Sequence, residues 1–366
     1  SNRSEIISLY SIKVKIYKED KMTKKIIISS FLSAVILVST ASAVENTEIK
    51  VEKKQAEAVK VTRDNYQYAE AIRNAQNYIK LGADNKWAHF RDISPIGPKA
   101  PTIRMNMDTL YSVAVLDNAT QNIELTIPEG DVLRTILVLD DQGYSKHYFQ
   151  KVGKHKIVSD SPFVILIARI GVKDYSRDAD IQYARKIQDE FKITGQGTKP
   201  FSPTKYDQDS LHALTAELNK EFLAGSGILV YGQQKDDVDE KQRLLSNAAG
   251  WGGMHDQINT YNSSANMSGD VCRQVHFDDP KVGDFFSFTL YDSDGYLMDG
   301  KTSINSYNMK KNDDKSYTVS FNCGSDATNN ITSTGRDFNY IVRTYNASDV
   351  VKSGKWNPVK PTVVKK

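Results

Sequence analysis

The sequence predicts a mainly β fold with helical connections, arranged as two antiparallel β-sandwich, jelly-roll-like domains. Three observations carry this. Short runs rich in Ile, Val, Leu, Phe and Tyr recur on both sides of a helical middle third. Gly, Asp, Asn and Pro separate those runs. None of the first strand runs is followed by a helix of crossover length, which argues against a parallel doubly wound sheet.

The elements follow in order. Residues 44–62, VENTEIKVEKKQAEAVKVT, are charged and weakly apolar and read as a tether. Ala69, Ile72, Ala75 and Ile79 share one helical face and predict a helix over 66–81, with Asp64 as candidate N-cap. From Arg104 the period moves towards two, and IELTIP, VLRTILVLD and FVILIARIGV read as strands. Three helices fill the middle. DADIQYARKIQDEFKI opens with acids that suit the helix dipole, SLHALTAELNKEFL has Ser210 as candidate cap, and VDEKQRLLSNAAG stops at Gly250. Strands return in FFSFTLYD, YTVSFNC and FNYIVRTYN. The expected division is 63–260 for a first domain with its helical segment and 261–366 for a second β-sandwich.

The start of the chain predicts export. Met22 is followed by basic Lys24 and Lys25, an apolar stretch from Ile26 to Val38 and the small-residue site Ala41-Ser42-Ala43. Residues 22–43 therefore read as a signal peptide cleaved after Ala43, with a periplasmic or secreted destination. The apolar stretch is too short to span a bilayer, so no membrane association is expected after cleavage. Residues 1–21 read as a translated leader, because Lys18 to Met22 can be encoded by a bacterial ribosome-binding sequence just ahead of a start codon.

Charge and cysteines narrow the function. Of 48 Lys/Arg and 45 Asp/Glu, residues 1–43 hold seven and three, leaving 41 basic and 42 acidic residues and a net charge of −1. A near-neutral chain without a basic block gives no reason to propose a nucleic-acid partner. Cys272 and Cys323 are an even pair in an oxidising compartment and predict a disulfide, with two unconnected buried thiols as the alternative.

Several motifs match without carrying chemistry. GYLMDGKT, Gly295 to Thr302, fits the phosphate-loop pattern, but SINSYNMKKNDD after it lacks the helix that would cradle phosphate. Asp294-Gly295 reads instead as the centre of a type I′ hairpin turn. Asp292-Ser293-Asp294-Gly295 opens like a calcium loop, yet the closing glutamate is missing at the required spacing. The six histidines form no HExxH or close pair, so no metal site has local support, and no G-x-S-x-G elbow exists. No cofactor is expected.

The informative stretch is RMNMDTLYS, Arg104 to Ser112. As a strand it places Arg104, Asn106 and Asp108 on one face, a row able to take a polar ligand or simply to face solvent. PTIRMNMDTLYSVAVLD resembles the R-x-N-x-D-T-L-Y-S signature of a bacterial family known as domain of unknown function 1254. AAGWGG and the first-half segments agree with it. FFSFTLYDSDGY, TSINSY and NYIVRTYNASDVVKSGKWNPV resemble its usual partner, domain of unknown function 1214. Together the resemblance runs from about residue 64 to 358. It implies paired β-sandwich domains with helices between them, often assembled as oligomers, and no established reaction. Met107 departs from the basic residue that many members carry there.

The shared segments give a candidate constellation. Asp108 is the candidate general base, with Tyr111 or His147 as acid, and Arg104 would clamp an anion beside Asn106. Tyr148 joins His147 as a weaker pair. Trp251 offers either a flat ligand wall or a core anchor. Asn305 and Arg343 are expected at a junction between the domains, Arg343 as ligand contact or as buried ion pair with Asp108. Three readings follow: a cofactor-independent hydrolase or lyase on a small polar or sugar-like molecule, a periplasmic binding or carbohydrate-recognition protein, and an assembly protein in which the motif is an interdomain clamp.

Overall fold

A computed structural model describes residues 57–100, 103–225, 228–255 and 258–365. The expected leader, signal segment and most of the tether lie outside the described residues. The last tether residues are not free: Val59 pairs with Tyr206, Val61 is buried, and the Val61 N–H donates to Ser210 Oγ at 3.0 Å.

The first sandwich uses β1 (Ala88–His89), β2 (Thr109–Asp117), β3 (Glu124–Ile127), β4 (Arg134–Leu139), β5 (Ser145–Phe149), β6 (Gly153–Lys156), β7 (Phe163–Gly171) and β8 (Lys192–Thr194). They form a five-stranded sheet in the order β1-β2-β7-β4-β5 and a three-stranded sheet in the order β6-β3-β8. Every pairing is antiparallel. Alternate side chains of β2 and β7, including Leu110, Ala114, Leu166 and Ile170, meet Leu125 and Ile127 of β3 in the inter-sheet core. Their opposite faces are also buried, against helices. Both faces being dry is why TLYSVAVLD and FVILIARIG read as continuous apolar runs rather than clean alternation.

The second sandwich uses β9 (Ile228–Leu229), β10 (Thr260–Ser263), β11 (Arg273–Phe277), β12 (Phe286–Tyr291), β13 (Ser303–Asn305), β14 (Tyr317–Phe321), β15 (Asn330–Ile331), β16 (Asn339–Thr344) and β17 (Thr362–Val363). Its sheets run β13-β12-β16-β10-β9 and β15-β14-β11-β17, antiparallel except for the short β14–β15 pair. Aromatic rings fill the gap between them. Phe277 stacks on Phe288 at 5.3 Å and meets Trp356 edge-on at 5.5 Å. Strand β9 belongs to this sandwich although it precedes residue 260, so the expected division does not separate the sheets cleanly.

Helices α1 (Tyr66–Lys80), α3 (Gln208–Ala224) and α4 (Glu240–Ala249) pack on one another, with α1 against β2 and α4 against β9, while α2 (Asp178–Glu190) packs on the first sandwich and α5 (Asp349–Lys352) lies near the chain's end. One continuous core joins Ala69 and Ala75 of α1, Leu218 of α3, Ala248 of α4, Val113 and Ile167 of the first sandwich, and Tyr261, Tyr291 and Ile341 of the second. Two caps differ from expectation. Asn65, not Asp64, precedes α1, and it makes no side-chain cap bond. Asp207, not Ser210, caps α3 by accepting from the Ser210 N–H at 2.8 Å, because Ser210 already lies one turn inside. The Asp294-Gly295 pair is not a type I′ turn: only Gly295 has positive φ, +92°. Among the described residues, no helix is long and apolar enough to cross a membrane.

Cys272 and Cys323 are joined by a disulfide that links the start of β11 to the end of β14 across 51 residues. Replacing both by Ser is expected to lower unfolding stability by about 4 kcal/mol. Urea unfolding of the oxidised chain and of the double variant measures it; equal midpoints would show that the bond restrains nothing.

Candidate functional site

The Arg104–Asp108 segment is not a strand. β2 begins at Thr109, and the five residues before it all lie buried rather than alternating between wet and dry faces. The segment crosses β12, β13 and β16 of the second sandwich. Arg104 sits at φ +60°, and its N–H donates to the Gly295 carbonyl at 2.9 Å. Gly295 permits that approach, because a Cβ there would lie 3.1 Å from Arg104 Nε on a backbone already at positive φ.

Polar contacts then tie the segment to the other sheet. Arg104 Nη1 donates to Asn339 Oδ1, and its carbonyl accepts from Arg343 Nη2 at 2.6 Å. Tyr291 donates to the Met105 carbonyl at 2.6 Å. Asn106 Nδ2 donates to Tyr345 at 2.7 Å, while its Oδ1 accepts from Thr109 at 2.9 Å. Asp108 Oδ1 accepts from Asn305 Nδ2 at 3.2 Å.

Beside this segment is a cavity of about 50 Å³. Its polar wall holds Arg104, Arg169 of β7 and Arg343 of β16, and Tyr111, Trp251 and Tyr261 stand among its aromatic residues. The three arginine residues are 7, 6 and 3 % exposed. Each keeps one unpartnered nitrogen: Arg104 Nη2, Arg169 Nη1 and Arg343 Nη1. None of the ion pairs among the described residues includes any of them. The bonds they do make go to neutral acceptors, Asn339, the Gly252 carbonyl at 2.8 Å and the Arg104 carbonyl. Burial, with the Arg343 charge adding to it, lowers Arg104 to about 10, which leaves it cationic at neutral pH.

The aromatic wall is fitted to these cations. Arg104 and Arg343 lie over the Tyr291 ring at 5.2 and 5.6 Å, and Arg169 lies over Tyr111 at 5.4 Å. AAGWGG shapes the far side. Gly252 is at φ +77°, and a Cβ on Gly253 would run into the Tyr231 ring. Tyr231 in turn donates to the Gly250 carbonyl.

The sequence-predicted residues divide here. Arg104, Asn106, Tyr111, Trp251 and Arg343 line the cavity. Asp108 lies behind the wall, with Asn305 as its partner. Arg343 is not in a buried ion pair with it, because that guanidinium is turned to the Arg104 carbonyl. His147 is on strand β5, where it stacks on Phe149 at 5.3 Å and bonds to the Val158 backbone, away from the cavity. Tyr148 accepts from Gln150 at 3.1 Å and is not in the wall. Arg169, Tyr231 and Tyr261 escaped the sequence reading. Arg169 had a signal, as the single charge inside the apolar run FVILIARIG.

No protein-family model matches this chain, and no curated protein does. Solved structures match it. The VPA0106 protein from Vibrio parahaemolyticus superposes with a TM-score of 0.59 at 18 % identity, over 83 % of this chain and 98 % of that one. A putative uncharacterized protein from Burkholderia cenocepacia gives 0.51 at 15 % identity, over 82 and 87 %. The likeness is one of fold.

Asp108 makes the site's pH behaviour specific. Burial pushes its carboxyl up from the usual range, partly offset by the nearby Ser287 hydroxyl, the Arg343 charge and Asn305. A carboxyl raised by folding holds its proton where the unfolded chain has lost it. Stability therefore falls as pH rises from about 4 to the folded-state value. Asp108→Asn removes that fall. Its melting temperature should gain on wild type as pH increases above 4 and then level off. A difference that stays constant between pH 4 and 8 would show that Asp108 is not shifted.

Proposed function

We propose that this chain is an exported protein that binds a small anionic organic molecule in the cavity between its two sandwiches. One observation carries the reading: three buried guanidinium groups converge on one cavity, each with a free nitrogen and none with a carboxylate. An unpaired buried charge costs several kcal/mol, so groups held this way are fitted to a charge that arrives with a ligand. The aromatic wall excludes water and strengthens the attraction. The signal-like segment ending at Ala43 and the Cys272–Cys323 bond support export. Membership of the family pairing domains 1254 and 1214 is part of the same proposal and rests on the motifs from Arg104 to Ser112 and from Ala248 to Gly253.

Binding is preferred to turnover because the proposed base and one proposed acid are not at the cavity. Asp108 is behind the wall and His147 is on β5, which leaves Tyr111 alone of the three. The interdomain clamp is compatible with binding, since the backbone and amides of the motif do the clamping while its guanidinium faces the cavity.

A thermal-shift panel of small carboxylates, phosphate, sulfate and neutral sugars, at constant ionic strength, tests this. A saturating anion present at about 100 times its Kd should raise the melting temperature by about 4 °C in a chain of this size. The shift should vanish in Arg104→Gln. Stabilisation by sugars alone, or by no anion, would refute the reading.

A further inference from the structure

We infer that the anion is a short dicarboxylate, held by one carboxylate on the Arg104–Arg343 pair and by the other on Arg169. This deepens the anion-binding reading and rests on it. The three cations are not equivalent. Arg104 and Arg343 form one pole: Arg343 bonds to the Arg104 carbonyl at 2.6 Å, and both guanidinium groups lie over the single ring of Tyr291. Arg104 is anchored further by Asn339, so this pole belongs to the second sandwich. Arg169 forms the other pole. It stands on β7 of the first sandwich, over Tyr111, tied to the Gly252 carbonyl at 2.8 Å. Tyr261 also lines the cavity, and its hydroxyl is buried without a partner.

Much of the rest of the lining is apolar, with Val113, Ile167, Leu229 and the Phe90 and Trp251 rings, beside the polar Asn106 and the tyrosines Tyr78 and Tyr231. Cationic ends joined by an apolar wall fit a hydrocarbon link with an acid at each end. A compact tetrahedral anion concentrates its charge at one point and would satisfy one pole only. Charge count agrees. Three cations and no acid line the cavity, so a monoanion leaves two charges unmatched and a dianion leaves one. Size sets the length. With one water needing about 10–15 Å³ by this measure, the cavity holds roughly four waters, so only the shortest diacids fit.

Calorimetric titration of the full chain at fixed ionic strength, with malonate, succinate, adipate, propionate and phosphate as probes, decides the matter. The inference expects malonate or succinate to bind at least tenfold more tightly than propionate, and adipate to bind more weakly than both diacids. In Arg169→Met that advantage should disappear, because the diacid then meets one pole. Where the Met variant does not fold, Arg169→Lys takes its place. An advantage reduced at least threefold supports the inference, and an unchanged one overturns it. Propionate binding as well as the diacids, or phosphate binding more tightly than any diacid, overturns the dicarboxylate and leaves anion binding standing. Absence of binding by every anion removes the anion-binding reading itself.

Discussion

The rest of the structure depends on the docking of the Arg104–Asp108 segment onto the β12–β16 sheet. Those five residues carry hydrogen bonds to Asn339, Arg343, Tyr291, Tyr345 and Asn305, all from the second sandwich, and then run directly into β2 of the first. Buried backbone carbonyls need partners. Here the Arg104 and Met105 carbonyls find theirs in side chains of another sheet. The same contacts fix the distance between the sandwiches and leave the cavity beside them. Clamp and cavity are thus consequences of one local geometry, set by Arg104 at positive φ against Gly295.

Comparison with other buried arginines in the chain shows what is unusual. Arg243 is 2 % exposed, yet it lies 3.7 Å from the Tyr144 ring centre, pairs with Glu240 at 2.8 Å and donates to the Gln142 carbonyl. Arg73, which is only partly buried, pairs with the buried Glu70 on α1. Both have a carboxylate. Arg104, Arg169 and Arg343 have rings, carbonyls and an amide, which orient a guanidinium without neutralising it. Arg134 also has two buried nitrogens without partners, but it stands alone, whereas Arg104, Arg169 and Arg343 meet at one cavity.

Much of the fold was legible because its strands and helices have strong periods. FFSFTLYD and FNYIVRTYN pair as β12 and β16, and VDEKQRLLSNAAG ends its helix at Ala249, with Gly250 in extended backbone. Sequence failed where tertiary contacts override local pattern. The alternation in RMNMD looked like a strand with one wet face, but the second sandwich covers the segment. The charge of Asp108 is visible in the sequence, whereas its position behind the wall comes with Asn305, almost two hundred residues away. His147 and Tyr148 stood out as a polar pair, yet sheet register carries His147 to an edge strand. A lone arginine in an apolar strand, as Arg169 is in FVILIARIG, says nothing of the two others it will meet. Convergence of distant cations is a property of topology, and single-chain periodicity does not encode it.

The most direct test of the account is a crystal structure of the full chain grown with millimolar succinate. The account predicts density in the cavity for a carboxylate within about 2.7–2.9 Å of Arg169 Nη1, and for a second carboxylate at that range from Arg104 Nη2 and Arg343 Nη1. A cavity holding only water, with Arg343 turned to form an ion pair with Asp108, would contradict it.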